Sequence, residues 1–148
     1  MTDLNTYKSL WINPIDGVIT SLGGLRINPI TGRREFHDGI DIAAPIGTTI
    51  VAPKDGAVMA TGVSATFGKY LQLAHADGYV SFMAHLNMIK VSTGDVILQG
   101  QHVAYSGNSG RTTGPHLHFS IFFNGQYVDP LEYVDLPKHD NIIWPLQW

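Results

Sequence analysis

Short apolar runs, separated by glycine, proline and Asp-Gly steps, set the pattern of this chain. Val18-Ile19-Thr20, Thr48-Thr49-Ile50-Val51-Ala52, Ala57-Val58-Met59-Ala60, Tyr70-Leu71-Gln72-Leu73-Ala74 and Tyr79-Val80-Ser81-Phe82-Met83 read as strands. His116 to Phe123 reads as one more, closed by the turn Asn124-Gly125. Asp55-Gly56 and Asp77-Gly78 sit where tight hairpin turns are expected. No stretch holds a long helical period, and helix is expected only briefly, near Asp129-Pro130-Leu131-Glu132-Tyr133. The predicted fold is therefore mostly β, a compact antiparallel domain of two packed sheets.

Two segments echo each other. Gly47-Thr48-Thr49-Ile50-Val51-Ala52 leads to Asp55-Gly56-Ala57-Val58, and Gly94-Asp95-Val96-Ile97-Leu98 leads to Gly100-Gln101-His102-Val103-Ala104. Both read strand, turn, strand. Two copies are too few for a solenoid, so the expectation is two similar hairpins. A hairpin pair of this kind is similar to the modules that carry biotin or lipoyl groups. A carrier needs an exposed lysine at a hairpin tip, and Lys54 stands near one, without the usual surrounding motif.

The length of 148 residues suits one domain, and no internal linker interrupts it. Residues 1–148 are accordingly expected to form a single domain. With 44% hydrophobic and 14% charged residues, the chain is a folded protein and not a disordered one. A net charge of −3 without any basic run gives nucleic-acid binding little electrostatic support. Apolar runs are far shorter than a membrane span requires. With no cysteine, the chain has neither disulfides nor a thiolate metal site. The start, Met1-Thr2-Asp3-Leu4-Asn5, lacks the basic and apolar regions of a signal peptide. The expectation is a protein that stays where it is made, or leaves by lysis, particle assembly or another non-signal route. The tail from Asp135 holds Pro137, Trp144, Pro145 and Trp148, which either pack back over the domain or offer a docking surface to a protein partner.

The candidate chemistry lies in two short strings, His37-Asp38-Gly39-Ile40-Asp41 and His116-Leu117-His118. Zinc in hydrolases is held by three N or O side chains, with one position open for water or substrate. On a strand His116 and His118 share one face, with Leu117 turned into the core. At about 7 Å between their Cα atoms, both imidazoles can share a metal, or one can bind it while the other faces substrate. His37 and Asp41 would stand about 13 Å apart if extended, so a bend is needed. Gly39 supplies the freedom for it, beside the turn-forming Asp38. The remaining histidines His75, His102 and His139 read as surface or internally satisfied residues.

An ordered series of short motifs accompanies these strings. Ser21-Leu22-Gly23-Gly24-Leu25-Arg26 leads to Asn28-Pro29-Ile30-Thr31-Gly32, then to His37-Asp38-Gly39-Ile40-Asp41-Ile42-Ala43-Ala44-Pro45 and Gly47-Thr48. Ala84-His85-Leu86, Gly94-Asp95, Gly100-Gln101, Ser106-Gly107-Asn108-Ser109-Gly110 and Thr113-Gly114-Pro115-His116-Leu117-His118-Phe119 follow. In this order, over about residues 14–134, the chain resembles the lysostaphin-type zinc metallopeptidases, peptidase family M23, which cleave peptide bonds in bacterial peptidoglycan. The rest, residues 135–148, forms an aromatic extension.

The resemblance implies roles. His37, Asp41 and His118 match the zinc ligands; His85 and His116 match the two catalytic histidines. It also implies an open groove over the larger sheet, walled by loops. Implied, too, are a zinc cofactor, a peptidoglycan peptide substrate and hydrolysis of a glycine bridge or a D-alanine linkage, as in a phage lysin or a tail-associated wall-degrading protein. A non-catalytic wall-binding or scaffold protein of the same fold is the alternative, which the complete five-residue set disfavours. Gly23, Met83 and Ser120 depart from the family's usual Phe, aromatic and Glu, and bear on groove shape and substrate preference. Arg26 suits either a substrate carboxylate or a structural ion pair. The loop Asn108 to Thr113, rich in small polar residues, is expected at the groove side.

Overall fold

The computed structural model describes residues 10–28 and 30–143. Arg26 falls within this span, but its side chain lies outside the described atoms, as do Met1 to Ser9 and the tail tryptophans Trp144 and Trp148. Thirteen strands are present among the described residues: β1 Val18–Ser21, β2 Gly24–Ile27, β3 Arg34–His37, β4 Ile40–Ala43, β5 Thr49–Val51, β6 Gly56–Ser64, β7 Gly68–His75, β8 Tyr79–Ile89, β9 Val96–Ile97, β10 His102–Ser106, β11 His116–Phe123, β12 Gln126–Val128 and β13 Lys138–Ile143. Helix among the described residues is limited to two short 3-10 turns, of which Pro130–Glu132 is capped by the Asp129 carboxylate on the Leu131 amide.

Eleven strands join in one large sheet along the order β13-β1-β4-β11-β8-β7-β6-β9, with β10 bridging β5 and β8 and β12 beside β11. The other two, β2 and β3, make a separate antiparallel ribbon. Among the described residues every pairing is antiparallel except that of β1 with β13, which is parallel. Strand alternation divides the central sheet. Ile40 and Ile42 of β4 and Leu117, Phe119 and Ile121 of β11 point to a fully buried core shared with Leu71, Leu73, Met83 and Leu86. Each such side chain contributes about 1.5–3 kcal/mol through its removal from water. The opposite face of the same two strands carries Asp41, His116, His118 and Ser120.

Turn chemistry is largely as expected. Asn124 and Gly125 (φ 49° and 81°) make a two-residue hairpin turn, and Asp77 and Gly78 (φ 63° and 83°) take left-handed conformations in the three-residue turn between β7 and β8. Asp55-Gly56 is different: β5 and β6 do not pair, so no hairpin forms there. The two echoing segments interlock instead. β5 pairs with β10, and β6 with β9, so the first strand of each segment bonds to the second strand of the other. Neither half closes its own sheet; each supplies the other's missing partner. The carrier reading fails at its lysine. Lys54 is buried, its ammonium 5.7 Å and 5.4 Å from the ring centroids of Trp11 and Tyr79.

Candidate metal centre and cleft

Four strands and one loop bring the chemistry together. His37 ends β3 of the ribbon, and the chain crosses through Asp38-Gly39 into β4, where Asp41 lies directly opposite His118 of β11. Nε2 of His37 is 3.2 Å from Oδ1 of Asp41 and 3.3 Å from Nδ1 of His118, which is 3.5 Å from the same Oδ1. Four donors held tetrahedrally about 2.0–2.1 Å from a zinc ion stand roughly 3.3–3.4 Å from one another. The three ligand atoms therefore already have the spacing of three corners of a zinc tetrahedron, and the donor set of two imidazoles and a carboxylate suits that ion.

Hydrogen bonds select the tautomers. Nδ1 of His37 donates to the Leu22 carbonyl at 3.2 Å, which leaves its Nε2 bare. Nε2 of His118 donates to Ser120 Oγ at 2.9 Å, which leaves its Nδ1 bare. Both unprotonated nitrogens thus face Asp41, as ligation requires. Burial alone would raise the Asp41 carboxyl. When those nitrogens carry protons instead, as they can with no metal bound, hydrogen bonds from His118 and His37, with the charges of His37 and His116, outweigh it and hold the group well below the usual carboxylate range.

Two further imidazoles flank the triad. Nε2 of His116 lies 3.6 Å from Asp41 Oδ1. Its Nδ1 donates to the Gly114 carbonyl at 2.8 Å and sits 2.9 Å from Thr112 Oγ1. The His85 ring is 4.9 Å from that of His116, centroid to centroid. Nδ1 of His85 donates to the Ser109 carbonyl at 2.7 Å, leaving Nε2 as the bare nitrogen. Burial pushes the His85 imidazole down to about 4, so it is neutral at neutral pH.

His85 is held by an irregular backbone. Leu71 and Lys69 of β7 face Met83 and Leu86 of β8, so three residues of β8 span the length of two on its neighbour. Within this bulge His85 adopts φ 64°, a left-handed value uncommon outside glycine. Pleat alternation would send a strand residue to one face or the other; the bulge aims His85 at the cleft.

Gly39 plays a different part from the one its sequence context suggests. Its φ is not positive. A Cβ there would stand 2.7 Å from Cε1 and Nε2 of His118 and 2.6 Å from Ser120 Oγ. Glycine is required because the turn lies against the imidazole, not because the backbone needs left-handed freedom.

A cleft of about 220 Å³ opens over these groups. Ile30, Glu35 and Phe36 line one wall, from the ribbon, and Thr66, Phe67, Arg111, Thr112 and Thr113 the other. The expected groove-side loop is thus in place, and two of its residues do more than line the wall. Ser109 and Thr112 anchor the two flanking imidazoles. Neither was legible in the sequence: Ser109 acts through its main-chain carbonyl, which leaves no trace in residue identity, and Thr112 through a hydroxyl that only the folded loop brings to His116. His75 and His102 stand outside the cluster. His75 is bonded through both nitrogens inside the core, to the Asp55 carbonyl and Ser81 Oγ at 2.8 Å each, and His102 bonds the Ala104 carbonyl at 3.0 Å.

Gly23 is filled from elsewhere in the fold. The hydroxyl of Tyr127, on β12, occupies the space into which a side chain at position 23 would project. The Tyr127 ring then packs edge-on against Phe36, 5.5 Å between centroids, and supports the ribbon wall of the cleft.

Comparison with known proteins agrees with this arrangement. Residues 35–130 match the model of peptidase family M23. The chain is 34% identical over 137 residues to the peptidoglycan DD-endopeptidase ShyC of Vibrio cholerae, covering 91% of this chain and 31% of that protein. It is similar in structure to a zinc-containing peptidase of Vibrio cholerae, with a TM-score of 0.69 and 34% identity over 84% of this chain and 41% of the other. The catalytic domain of the prophage-encoded M23 protein EnpA from Enterococcus faecalis gives a TM-score of 0.68 and 36% identity, covering 77% of this chain and 88% of that one. The chain spans about a quarter to a third of the length of the curated relatives it matches. No helix among the described residues is long and apolar enough to cross a membrane. With an M23 model matched over most of its length and its histidines and aspartate converging on a zinc-shaped triad, the chain belongs to peptidase family M23 and carries a metallopeptidase domain.

Proposed function

We propose that this domain hydrolyses peptide bonds in peptidoglycan, with zinc held by His37, Asp41 and His118 and protons handled by His85 and His116. The observation that carries the reading is the spacing of the three ligand atoms, 3.2–3.5 Å, beside two imidazoles that each keep one nitrogen bare. When bound, zinc supplies the Lewis acidity that polarises a carbonyl and acidifies water. Two neutral imidazoles and one carboxylate leave a formal charge of about +1 on the loaded site, so that acidity is not quenched.

The chain's own groups do the rest. His116, tied through Nδ1 to Gly114, presents Nε2 beside the triad and exchanges a proton with the attacking water or steadies the developing oxyanion. The proton that leaves the water is the one the leaving amine gains, and His85, tied through Nδ1 to Ser109, presents a second bare nitrogen that can take it and pass it on. Phe36 and Ile30 on one wall and Phe67 on the other line the cleft with apolar surface, along which a stem peptide lies extended.

The similarity to a DD-endopeptidase supports a D-alanine cross-link as the bond cut, in preference to a glycine bridge. The likeness to a prophage-encoded domain supports delivery as a phage lysin or virion component. Digestion of purified walls of both chemotypes, with mass spectrometry of the released muropeptides, tests the reading. Cross-linked dimers should fall to monomers, and chelation or His116→Ala should stop the reaction. Cleavage confined to glycine bridges would reject the choice of bond. Binding to walls with no release from either chemotype would reject hydrolysis and favour a wall-binding protein.

A further inference from the structure

His118 uses Nδ1 toward the triad, so the other edge of its ring decides how firmly that nitrogen is held. Nε2 lies 2.9 Å from Ser120 Oγ. Ser120 is two residues further along β11, on the same face, and fully buried. Its hydroxyl in turn donates to the main-chain carbonyl of Asp38. Asp38 sits between the β3 and β4 residues that supply the other two ligand atoms. The chain of hydrogen bonds therefore closes a loop, from the β11 imidazole through one hydroxyl to the turn that carries His37 and Asp41. The Asp38 carboxylate is not a substitute, at 3.9 Å from the same nitrogen and half exposed.

Two features make the hydroxyl specific to this place. Gly39 lies flat on the contact, and the space a Cβ would need is taken by Ser120 Oγ and His118 Nε2. A hydroxyl also accepts and donates at once. A carboxylate at position 120 would accept from Nε2 but set oxygen against oxygen at Asp38.

Resting on the zinc reading above, we propose that Ser120 is a positioning residue for the metal centre. Its hydroxyl locks His118 in the Nε2–H tautomer and ties that ligand to the Asp38-Gly39 turn, so that the three ligand atoms hold their spacing before metal enters. Groups of this kind change metal affinity by 10–100-fold when removed.

The test uses the full chain and measures zinc Kd by competition with a chromophoric chelator, beside the visible spectrum of the cobalt-substituted protein and the urea midpoint of the metal-free form. Ser120→Ala should raise zinc Kd 10–100-fold and alter the cobalt spectrum. Ser120→Thr, which keeps the hydroxyl, should restore both. If Ser120→Ala lowers the urea midpoint and leaves zinc Kd within twofold, the serine merely fills space and the proposal fails. Should the alanine variant not fold, nitrogen-15 NMR of the zinc-loaded wild type decides. A slowly exchanging Nε2 proton on His118 supports the lock, and a freely exchanging one overturns it. His118→Ala separates the two readings. Zinc lost in His118→Ala but kept in Ser120→Ala sinks the serine's role alone, whereas a wild type that binds no zinc sinks the metal reading with it.

Discussion

Asp41 Oδ1 stands 3.2 Å from His37 Nε2, although the two residues belong to different sheets. The contact spans the turn at which the chain leaves the ribbon and enters the main sheet, and it leaves the carboxylate facing His118 on the neighbouring strand. A structural zinc site is worth about 10–16 kcal/mol over four ligands, so one ligand carries roughly 2.5–4 kcal/mol. Replacing His37, Asp41 or His118 with alanine should therefore weaken zinc about 100- to 1,000-fold and abolish hydrolysis. Competition titration measures the first effect; near-stoichiometric zinc in any of the three variants would contradict the assignment.

His85 and His116 are predicted to act on protons and not on the metal. Alanine at either position should leave zinc Kd within a few-fold and lower kcat about 100- to 10,000-fold. Metal content and turnover must be measured on the same preparation. Loss of zinc from His116→Ala would move that residue into the ligand set, which its 3.6 Å approach to Asp41 makes the sharper question of the two.

Gly39→Ala tests whether the turn is packed or merely flexible. The added methyl would stand 2.6–2.7 Å from Ser120 Oγ and the His118 ring. Overpacking of this sort costs about 1–3 kcal/mol. The variant should lower the denaturant midpoint and weaken zinc together, because the atoms displaced belong to a ligand. An alanine variant of wild-type stability and affinity would show that the turn yields freely.

Eight of the thirteen strands, and the two rows of polar and apolar residues on β11, were legible in the sequence, because alternation needs only neighbours to be read; β2, β3, β4, β12 and β13 were not. The two glycine-containing turns at positions 78 and 125 were legible for the same reason. What pairs with what was not. Gly47 to Val58 and Gly94 to Ala104 look like two closed hairpins, yet they exchange strands, and only long-range hydrogen bonding distinguishes the two outcomes. The candidate metal triad was half legible. Residue types and spacing pointed to His37, Asp41 and one or both of the downstream histidines, but not to which, because the choice depends on a cross-strand register. His85 had no local signal at all: its direction comes from a bulge, and only the family resemblance singled it out.

His75 is buried among Trp11, Lys54 and Asp55, with its ring 5.1 Å from that of Trp11. Burial pushes its pKa down, and the Lys54 ammonium adds to that. Hydrogen bonds to the main-chain carbonyls of Asp55 and Lys54, with the Asp55 charge, act the other way without prevailing. The folded protein thus resists protonating His75, whereas the unfolded chain takes a proton at the ordinary value of about 6.5. Below that pH the unfolded state binds more protons, so His75 lowers stability as acid is added and contributes no such penalty above it. His75→Asn keeps a donor for the Asp55 carbonyl but cannot titrate. Measured on metal-free protein, so that zinc release does not enter, the urea midpoint of the wild type should exceed that of the variant at pH 7.5, and the gap should narrow by pH 5.5. A gap independent of pH would mean that His75 titrates alike in the folded and unfolded chains.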